Sequence, residues 1–195
     1  MTRRLWPALQ LALALAGCDA VDIPLADPLP SLPDGGRPKR MTPCFNEGHC
    51  APNEFCDKPS CDASSGRCLP RPSMCSPAFQ PVCGCNGVTY WNDCLRRERR
   101  IEARVDGECS GSGAMTCAGS PAACPDPEAS CALLLPPTSD CTSQAVGACW
   151  VVPTTCQPPM PGSSGWSSCD GPPICTSQCA AIRSGLRHLR VNTCP

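Results

Sequence analysis

Apolar residues are concentrated at the beginning of the chain and are sparse after it. Two arginines, Arg3 and Arg4, precede a mainly apolar run from Leu5 to Ala16. This run is too short to span a bilayer, and a positive flank followed by a short apolar run is typical of a secretory signal. We therefore expect residues 1–17 to be a signal peptide and the protein to be exported.

Beyond the signal, the sequence predicts a tether and then a chain with few regular elements. Residues 18–43 are rich in proline, which fixes φ and offers no N–H, so they predict a semi-extended tether. Further along, Leu95, Ile101 and Val105 predict a short helix that turns these side chains to a small core. The stretch 179–185 predicts another short helix, which ends at its glycine.

The composition explains how such a chain can fold. Of 195 residues, 21 are cysteine, 25 proline and 16 glycine, whereas only 4% are aromatic. Too few apolar side chains remain for a core of ordinary size, and cysteine at this level is typical of exported folds closed by disulfides. The net charge of -1 gives no basic field, so we expect no nucleic-acid partner.

The signal ends in Leu15-Ala16-Gly17-Cys18, which resembles the lipobox of bacterial lipoproteins. The resemblance implies cleavage before Cys18 and a diacylglycerol on its sulfur, usually with a further acyl chain on the new amine. Several acyl chains anchor more firmly than one. We therefore expect a cell-envelope protein, held by lipid to a bacterial membrane, at the outer membrane or cell surface. Asp19 after the cysteine resembles a retention signal for the inner membrane, which stays open as the other location. The alternative is an ordinary secretory signal that contains a cysteine.

The remaining cysteines form two blocks of ten, separated by a Ser/Gly segment. Two spacings recur in both blocks: Cys68-x6-Cys75 as Cys149-x6-Cys156, and Cys94-x14-Cys109 as Cys179-x14-Cys194. We interpret them as an internal repeat with a drifted second copy and five disulfides in each block; the alternative is chance. The expected organisation is a staple segment at 44–67, a domain at 68–109, a linker at 110–116 and the second block at 117–195.

Residues 68–109 contain three motifs in order: Cys75-x7-Cys83-Gly84, the run Gly87-Val88-Thr89-Tyr90-Trp91-Asn92-Asp93-Cys94, and Gly107-Glu108-Cys109. Together they resemble a Kazal-type serine protease inhibitor domain. The resemblance implies a small disulfide-rich fold, largely loops, in which a short helix and a small antiparallel sheet hold an exposed loop. The second block lacks the Gly-Val-Thr-Tyr run, and we expect it to be a degenerate Kazal-like copy.

The resemblance also implies a partner and a role for individual residues. The partner would be a serine protease, and the reactive loop would contain Ser76, Pro77, Ala78 and Phe79. Cysteines at its ends and prolines inside would stiffen this loop before binding, which lowers the ordering cost of docking. Tyr90 would be a core aromatic. Asn92 would bind the loop carbonyls with its side-chain amide, and a simple helix N-cap is the other role open to it.

The sequence departs from the family pattern at two points. A cysteine is absent near Arg96 and Arg97, while Cys85 is additional. We hypothesise three disulfides on this basis: Cys68–Cys85, with Cys75–Cys94 and Cys83–Cys109 as the family-like pairs. The second departure is Pro77 at the primary specificity position, where a protease expects a free N–H. A non-inhibitory disulfide-rich binding or adhesion module is therefore the alternative function.

Other chemistry finds little support in the sequence. The two histidines, His49 and His188, lie in separate blocks, and the chain has no CxxC pair and no G-x-S-x-G elbow. We expect no enzyme activity, no metal site and no cofactor. The arginines of residues 95–104 would either dock an anionic partner or form a solvated helix face, and we favour the face.

Overall fold

The structure is a computed structural model that describes residues 42–117, 124–144 and 146–194. The predicted signal peptide, Cys18 and nearly all of the tether lie outside these residues. Within the described part, no helix has both the length and the apolar character that a membrane span requires.

Short strands and two short helices alternate along the described chain. Their bounds are β1 (Pro43–Cys44), β2 (Glu54–Asp57), β3 (Gly66–Pro70), β4 (Val82–Gly84), β5 (Thr89–Tyr90), α1 (Asp93–Glu98), β6 (Ala103–Asp106), β7 (Thr116–Cys117), β8 (Ser130–Leu135), β9 (Gly147–Val151), β10 (Gly165–Ser168), β11 (Cys175–Thr176), α2 (Gln178–Ser184) and β12 (Arg187–Val191). The small disulfide-rich fold predicted from composition is confirmed.

Ten disulfides join the twenty cysteines from Cys44 to Cys194, five in each block. The pairs are Cys44–Cys56, Cys50–Cys68, Cys61–Cys85, Cys75–Cys94 and Cys83–Cys109, then Cys117–Cys131, Cys124–Cys149, Cys141–Cys169, Cys156–Cys179 and Cys175–Cys194. A bridge of this kind typically contributes about 2–4 kcal/mol, so the set offsets the shortage of apolar side chains.

Disulfide connectivity repeats between the blocks. With the cysteines numbered one to ten in each block, the pairs 1–3, 2–5 and 6–9 occur in both. The other four cysteines pair as 4–8 and 7–10 in the first block and as 4–7 and 8–10 in the second. The repeat in the sequence is therefore also a repeat in covalent structure, with one exchange of partners.

The first half of each block is a three-stranded antiparallel unit with the same register. In the first block β3 lies between β1 and β2, with Cys44 opposite Gly66. In the second block β9 lies between β7 and β8, with Cys117 opposite Gly147. A Cβ at Gly66 would approach Asp57 O to 2.3 Å, and one at Gly147 would approach a cysteine Sγ to 2.4 Å. Close packing at this position thus explains why both copies carry glycine before the strand cysteine.

The second half of each block is a hairpin, a helix and a returning strand. In the first block β4 pairs with both β5 and β6 in antiparallel fashion, and α1 lies between β5 and β6 in the chain. In the second block β10 pairs in the same way with β11 and β12, and α2 lies between them in the chain. The helix α2 ends at Gly185, whose φ of 65° closes it, as the sequence predicts.

The helix predicted from Leu95 to Val105 is shorter than expected. It ends at Glu98, because Arg100 adopts a left-handed φ of 59° and turns the chain toward β6. Val105 therefore lies on a strand and is 53% exposed, so the expectation that it faces the core is wrong.

The second half of the first block shares one sheet and one core with the second block. Parallel pairing of β5 with β9 joins them, with Thr89 opposite Trp150. The core cluster likewise draws Tyr90 and Leu95 from the first block and Ile182 from the second. The connecting residues 110–116 include a 3-10 turn, and Met115 hydrogen-bonds to both blocks through its N–H and its carbonyl oxygen. The blocks form a joint structure rather than two units on a loose linker.

Candidate functional site

The Cys75–Cys83 loop lies on the surface, and both of its ends are held covalently. Cys75 is bonded to Cys94 in α1, and Cys83 is bonded to Cys109 beyond β6. The residues predicted to be reactive are all exposed: Ser76, Pro77, Ala78 and Phe79. Because separate bridges fix its two ends, the loop is constrained before any partner binds.

Asn92 contacts the loop from the interior. Its side-chain amide donates to the carbonyl oxygens of Ser76 at 2.8 Å and Ala78 at 3.0 Å. Its Oδ1 accepts from the N–H of Leu95 at 3.0 Å and so caps α1. The side chain is only 6% exposed, which shields these bonds from water. The two roles that the sequence left open for Asn92 are filled by the same side chain.

Trp91 binds the carbonyl that lies between those two. Its indole N–H donates to the carbonyl oxygen of Pro77 at 2.9 Å, and the residue is 8% exposed. Three successive loop carbonyls are therefore held by two adjacent side chains. Sequence reasoning missed Trp91, although a tryptophan directly before Asn92 was a visible signal.

Two tryptophan rings pack against Phe79 of the loop. Phe79 lies 4.5 Å from Trp91 and 6.4 Å from Trp150, measured between ring centroids, and its ring is nearly parallel to that of Trp150. Since Trp150 belongs to β9, the second block contributes directly to the support of the first block's loop. Phe79 nevertheless keeps 46% of its surface exposed.

Tyr90 is fully buried beneath this region. Its hydroxyl accepts a hydrogen bond from the Asn86 amide at 2.9 Å and donates to Asp126 of the second block at 3.4 Å. Burial, more than any other cause, raises the pKa of this hydroxyl above its ordinary value, since the charged phenolate would be desolvated. Tyr90 thus lies at the contact between the blocks as well as in the core.

The disulfides around the loop agree with the sequence hypothesis at two positions and contradict it at the third. The structure contains Cys75–Cys94 and Cys83–Cys109. The expected pair Cys68–Cys85 is wrong, because Cys68 is bonded to Cys50 and Cys85 is bonded to Cys61. Cys68 lies on β3, and its bridge to Cys50 stays within the first three-stranded unit. Cys61 is the cysteine that links this part of the chain to the second half of the block, through its bridge to Cys85.

The second block has a corresponding loop with weaker support. Cys156 is bonded to Cys179 in α2, as Cys75 is bonded to Cys94 in α1. At the position of Asn92 stands Ser177, whose hydroxyl accepts from the N–H of Ala180 at 3.4 Å and caps α2. A serine hydroxyl carries one donor and cannot replace an amide that serves two carbonyls. Ser177 therefore caps α2 but cannot serve as a spacer, which is the side chain that bonds two loop carbonyls as Asn92 does.

The two loops face each other across a small cavity of about 220 Å³. Its lining includes Pro77 and Trp91 from the first block and Gln157 and Pro158 from the second. Pro158 follows Cys156 by two residues, as Pro77 follows Cys75. Both loops thus present a proline at the same position toward the same space.

The arginines after Asn92 are largely engaged by carboxylates. Arg96 is only 2% exposed, and its guanidinium also lies over the ring of Phe55, so it belongs to the interior rather than to a surface patch. The carboxylate partners are Asp57 and Asp93 for Arg96, Asp93 for Arg97, and Glu128 for Arg99. This pairing neutralises much of the charge that an anionic partner would need.

Cysteine sulfurs come together in two groups within the described residues. They are Cys44 with Cys50 and Cys68, and Cys117 with Cys124 and Cys149. Every one of these sulfurs is in a disulfide, whereas metal ligation by cysteine requires a thiolate. The sulfurs of both groups are therefore covalent cross-links.

A family model for the Kazal-type serine protease inhibitor domain matches residues 61–109. The match covers about a quarter of the chain and includes the Cys75–Cys83 loop, Tyr90, Asn92 and α1. It begins at residue 61, ahead of our boundary at residue 68, and the Cys61–Cys85 bridge accounts for the difference. Residues 61–109 are thus similar to Kazal-type serine protease inhibitor domains.

Proposed function

We propose that this protein is an exported, lipid-anchored inhibitor of a serine protease and that the Cys75–Cys83 loop is its reactive loop. The observation that carries the proposal is the pair of bonds from Asn92 to the carbonyl oxygens of Ser76 and Ala78. These bonds hold the backbone on both sides of Pro77 in a fixed, exposed conformation. A loop ordered in advance loses less entropy when it docks into a protease cleft.

The bridges at the loop ends supply the second part of the mechanism. If a protease hydrolyses the bond between Pro77 and Ala78, the Cys75–Cys94 and Cys83–Cys109 bridges keep the new ends attached to the same body. Asn92 also stays bonded on both sides of the cut, since its amide contacts residues 76 and 78. The severed ends therefore remain close enough for the bond to re-form, and the protease stays occupied.

Pro77 restricts which protease can be the target. Its ring removes the backbone N–H and fixes φ, and few primary pockets accept it. We therefore propose a target whose primary specificity pocket accepts proline. Trypsin-like and chymotrypsin-like enzymes are not expected to be inhibited tightly.

The test is a titration of the soluble chain, beginning after Cys18, against a panel of serine proteases that includes subtilisin-like and proline-accepting enzymes. The ten bridges are verified first by peptide mapping. Tight inhibition of a proline-accepting member is the expected result. Absence of inhibition across the panel by the correctly bridged protein would contradict the proposal.

A matched pair of variants tests whether inhibition resides in this loop. Pro77→Arg should create inhibition of a trypsin-like protease, because it places a basic side chain at the primary position of a supported loop. Pro158→Arg places the same side chain at the same position of the second loop, where Ser177 replaces the asparagine spacer, and it should create none. Equal gains in both variants would show that the spacer is not what makes a loop inhibitory.

The second candidate function is a non-inhibitory binding module of the cell surface. It is favoured by one specific observation, the hydrogen bond from Trp91 to the Pro77 carbonyl, which turns this oxygen toward the protein interior. A chain with all ten bridges but no inhibition across the panel would leave this candidate.

The membrane anchor is proposed from the sequence Leu15-Ala16-Gly17-Cys18. Mass spectrometry of the mature N-terminal peptide should find a diacylglyceryl group on Cys18, and the protein should fractionate with bacterial membranes. The Cys18→Ser variant should lose both properties. An unmodified Cys18 in the exported protein would rule out the anchor while leaving the proposed inhibition untouched.

A further inference from the structure

We propose that Trp91 is a positioning residue that withholds the Pro77 carbonyl from a protease and so slows cleavage of the loop. The inference rests on the proposed function, since it concerns the same loop. It assigns to Trp91 an effect opposite to that of its neighbour Asn92. Asn92 orders the loop in a form that a protease can bind. Trp91 instead occupies the Pro77 carbonyl oxygen, which the protease's own donors must reach for hydrolysis.

The indole is held firmly in the position that this requires. The backbone N–H of Trp91 donates to the carbonyl oxygen of Val151 at 2.9 Å, and its carbonyl oxygen accepts from Gln80 at 3.0 Å. The ring contacts Phe79 at 4.5 Å and Trp150 at 6.3 Å between centroids. Anchored by its backbone on both sides and packed against two rings, the side chain cannot leave Pro77 without disturbing its neighbours.

The chemistry of acyl transfer makes this contact an obstacle. A serine protease hydrolyses an amide by attack on its carbonyl carbon, while protein N–H groups about 2.7–3.1 Å away stabilise the negative charge that develops on the oxygen. At the bond after Pro77, the oxygen already accepts from the Trp91 indole at 2.9 Å. The indole ring also fills space on that side of the oxygen. A protease must therefore break the Trp91 contact before its own donors can bind there.

The flanking carbonyls do not meet the same conflict. Asn92 binds the oxygens of Ser76 and Ala78, and neither belongs to the bond after Pro77. Loss of Asn92 should therefore weaken binding of the loop to a protease. Loss of the Trp91 N–H should instead free the Pro77 carbonyl oxygen and speed cleavage of the bond after Pro77. The opposite signs distinguish a positioning role from a general contribution to folding, which would weaken the loop in both cases.

The test uses Trp91→Phe, which removes the N–H and keeps an aromatic ring beside Phe79. The control is Trp150→Phe, which makes the same replacement in the same ring cluster at a residue that does not bind Pro77. Each soluble chain is incubated with a proline-cleaving serine endopeptidase, reduced, and analysed by mass spectrometry. Hydrolysis consumes one water and gives a new carboxylate at Pro77 and a new amine at Ala78, so the site of cleavage is unambiguous.

We expect the bond after Pro77 to be cleaved about two- to tenfold faster in Trp91→Phe than in the wild type, the range set by one hydrogen bond. Trp150→Phe keeps the Trp91 donor and should be cleaved more slowly than Trp91→Phe. Trp91→Leu provides a second donor-free variant, and disulfide mapping verifies each protein before use. Equal or slower cleavage in correctly bridged donor-free variants, including no cleavage in any protein, would overturn the inference.

This readout separates the inference from the proposed function. Faster cleavage in Trp91→Phe with no inhibition of any protease would support the role of Trp91 and refute the inhibitor. Tight inhibition by the wild type with unchanged cleavage in Trp91→Phe would do the reverse.

Discussion

Replacement of Asn92 by serine separates the two tasks of this side chain. Serine is a strong N-cap, and Ser177 already caps α2 at the equivalent position of the second block. Helix α1 should therefore remain capped in Asn92→Ser. The carbonyl oxygens of Ser76 and Ala78, bonded at 2.8 and 3.0 Å in the wild type, would lose their shared donor. The variant thus removes the support of the loop and little else.

The size of the effect follows from those two bonds. Each contributes about 0.5–1.5 kcal/mol, so together they contribute about 1–3 kcal/mol to the ordered loop. A partner that binds the ordered loop must supply this free energy in the variant. At about 1.4 kcal/mol per factor of ten, the inhibition constant should rise by roughly five- to 150-fold.

The assay measures the inhibition constant of wild type and Asn92→Ser against whichever protease the wild type inhibits. Urea unfolding of the same samples serves as the control, and Asn92→Ala extends the series by removing the cap as well, at about 1 kcal/mol of stability. A change of less than twofold in the inhibition constant of Asn92→Ser would refute the reasoning.

Three further predictions concern stability. Trp150→Ala removes a side chain that is 3% exposed and should lower the free energy of unfolding by about 3–5 kcal/mol in urea titrations; a loss below 1 kcal/mol would show that the rings are not packed as described. Replacing both Cys61 and Cys85 by serine should cost about 2–4 kcal/mol and leave Cys68 bonded in peptide maps, whereas a free Cys68 thiol would contradict the connectivity. Tyr90 is the single tyrosine of the chain, so the ultraviolet absorbance change that accompanies phenol ionisation reports it alone. Because burial raises its folded pKa above the unfolded value of 10.0, stability should be complete below pH 10 and fall as the pH rises further, with phenolate forming only as the protein unfolds. Reversible titration near pH 10 with unchanged circular dichroism would be the contrary result.

The parts of the site that the sequence predicted are those encoded over short distances. The Cys75–Cys83 loop, Tyr90 and Asn92 lie within eighteen residues of the chain, and the motif that carries them fixes their mutual placement. The helix that ends at Gly185 was predicted for the same reason, since one residue supplies the left-handed conformation. Local chemistry of this kind leaves few alternatives.

The parts that escaped prediction depend on contacts between distant segments. Cys68 pairs with Cys50 because β3 closes the first three-stranded unit, and no spacing in the chain reveals that. The direction of the Trp91 side chain depends on Val151, which is sixty residues away and binds its backbone N–H. The joint sheet likewise needs β5 to meet β9 in parallel, a pairing with no local signature.

The parallel pairing of β5 with β9 also sets an order of events during synthesis. The first block is synthesised before residues 147–151 exist to cover it. Until then β5 has β4 on one side and an open row of backbone groups on the other, a template for pairing with other chains. The Tyr90 hydroxyl also lacks its acceptor until Asp126 has been synthesised. A chain cut short between the blocks would carry all five bridges of the first block and still expose this sheet edge, so the second block acts as the cover of β5.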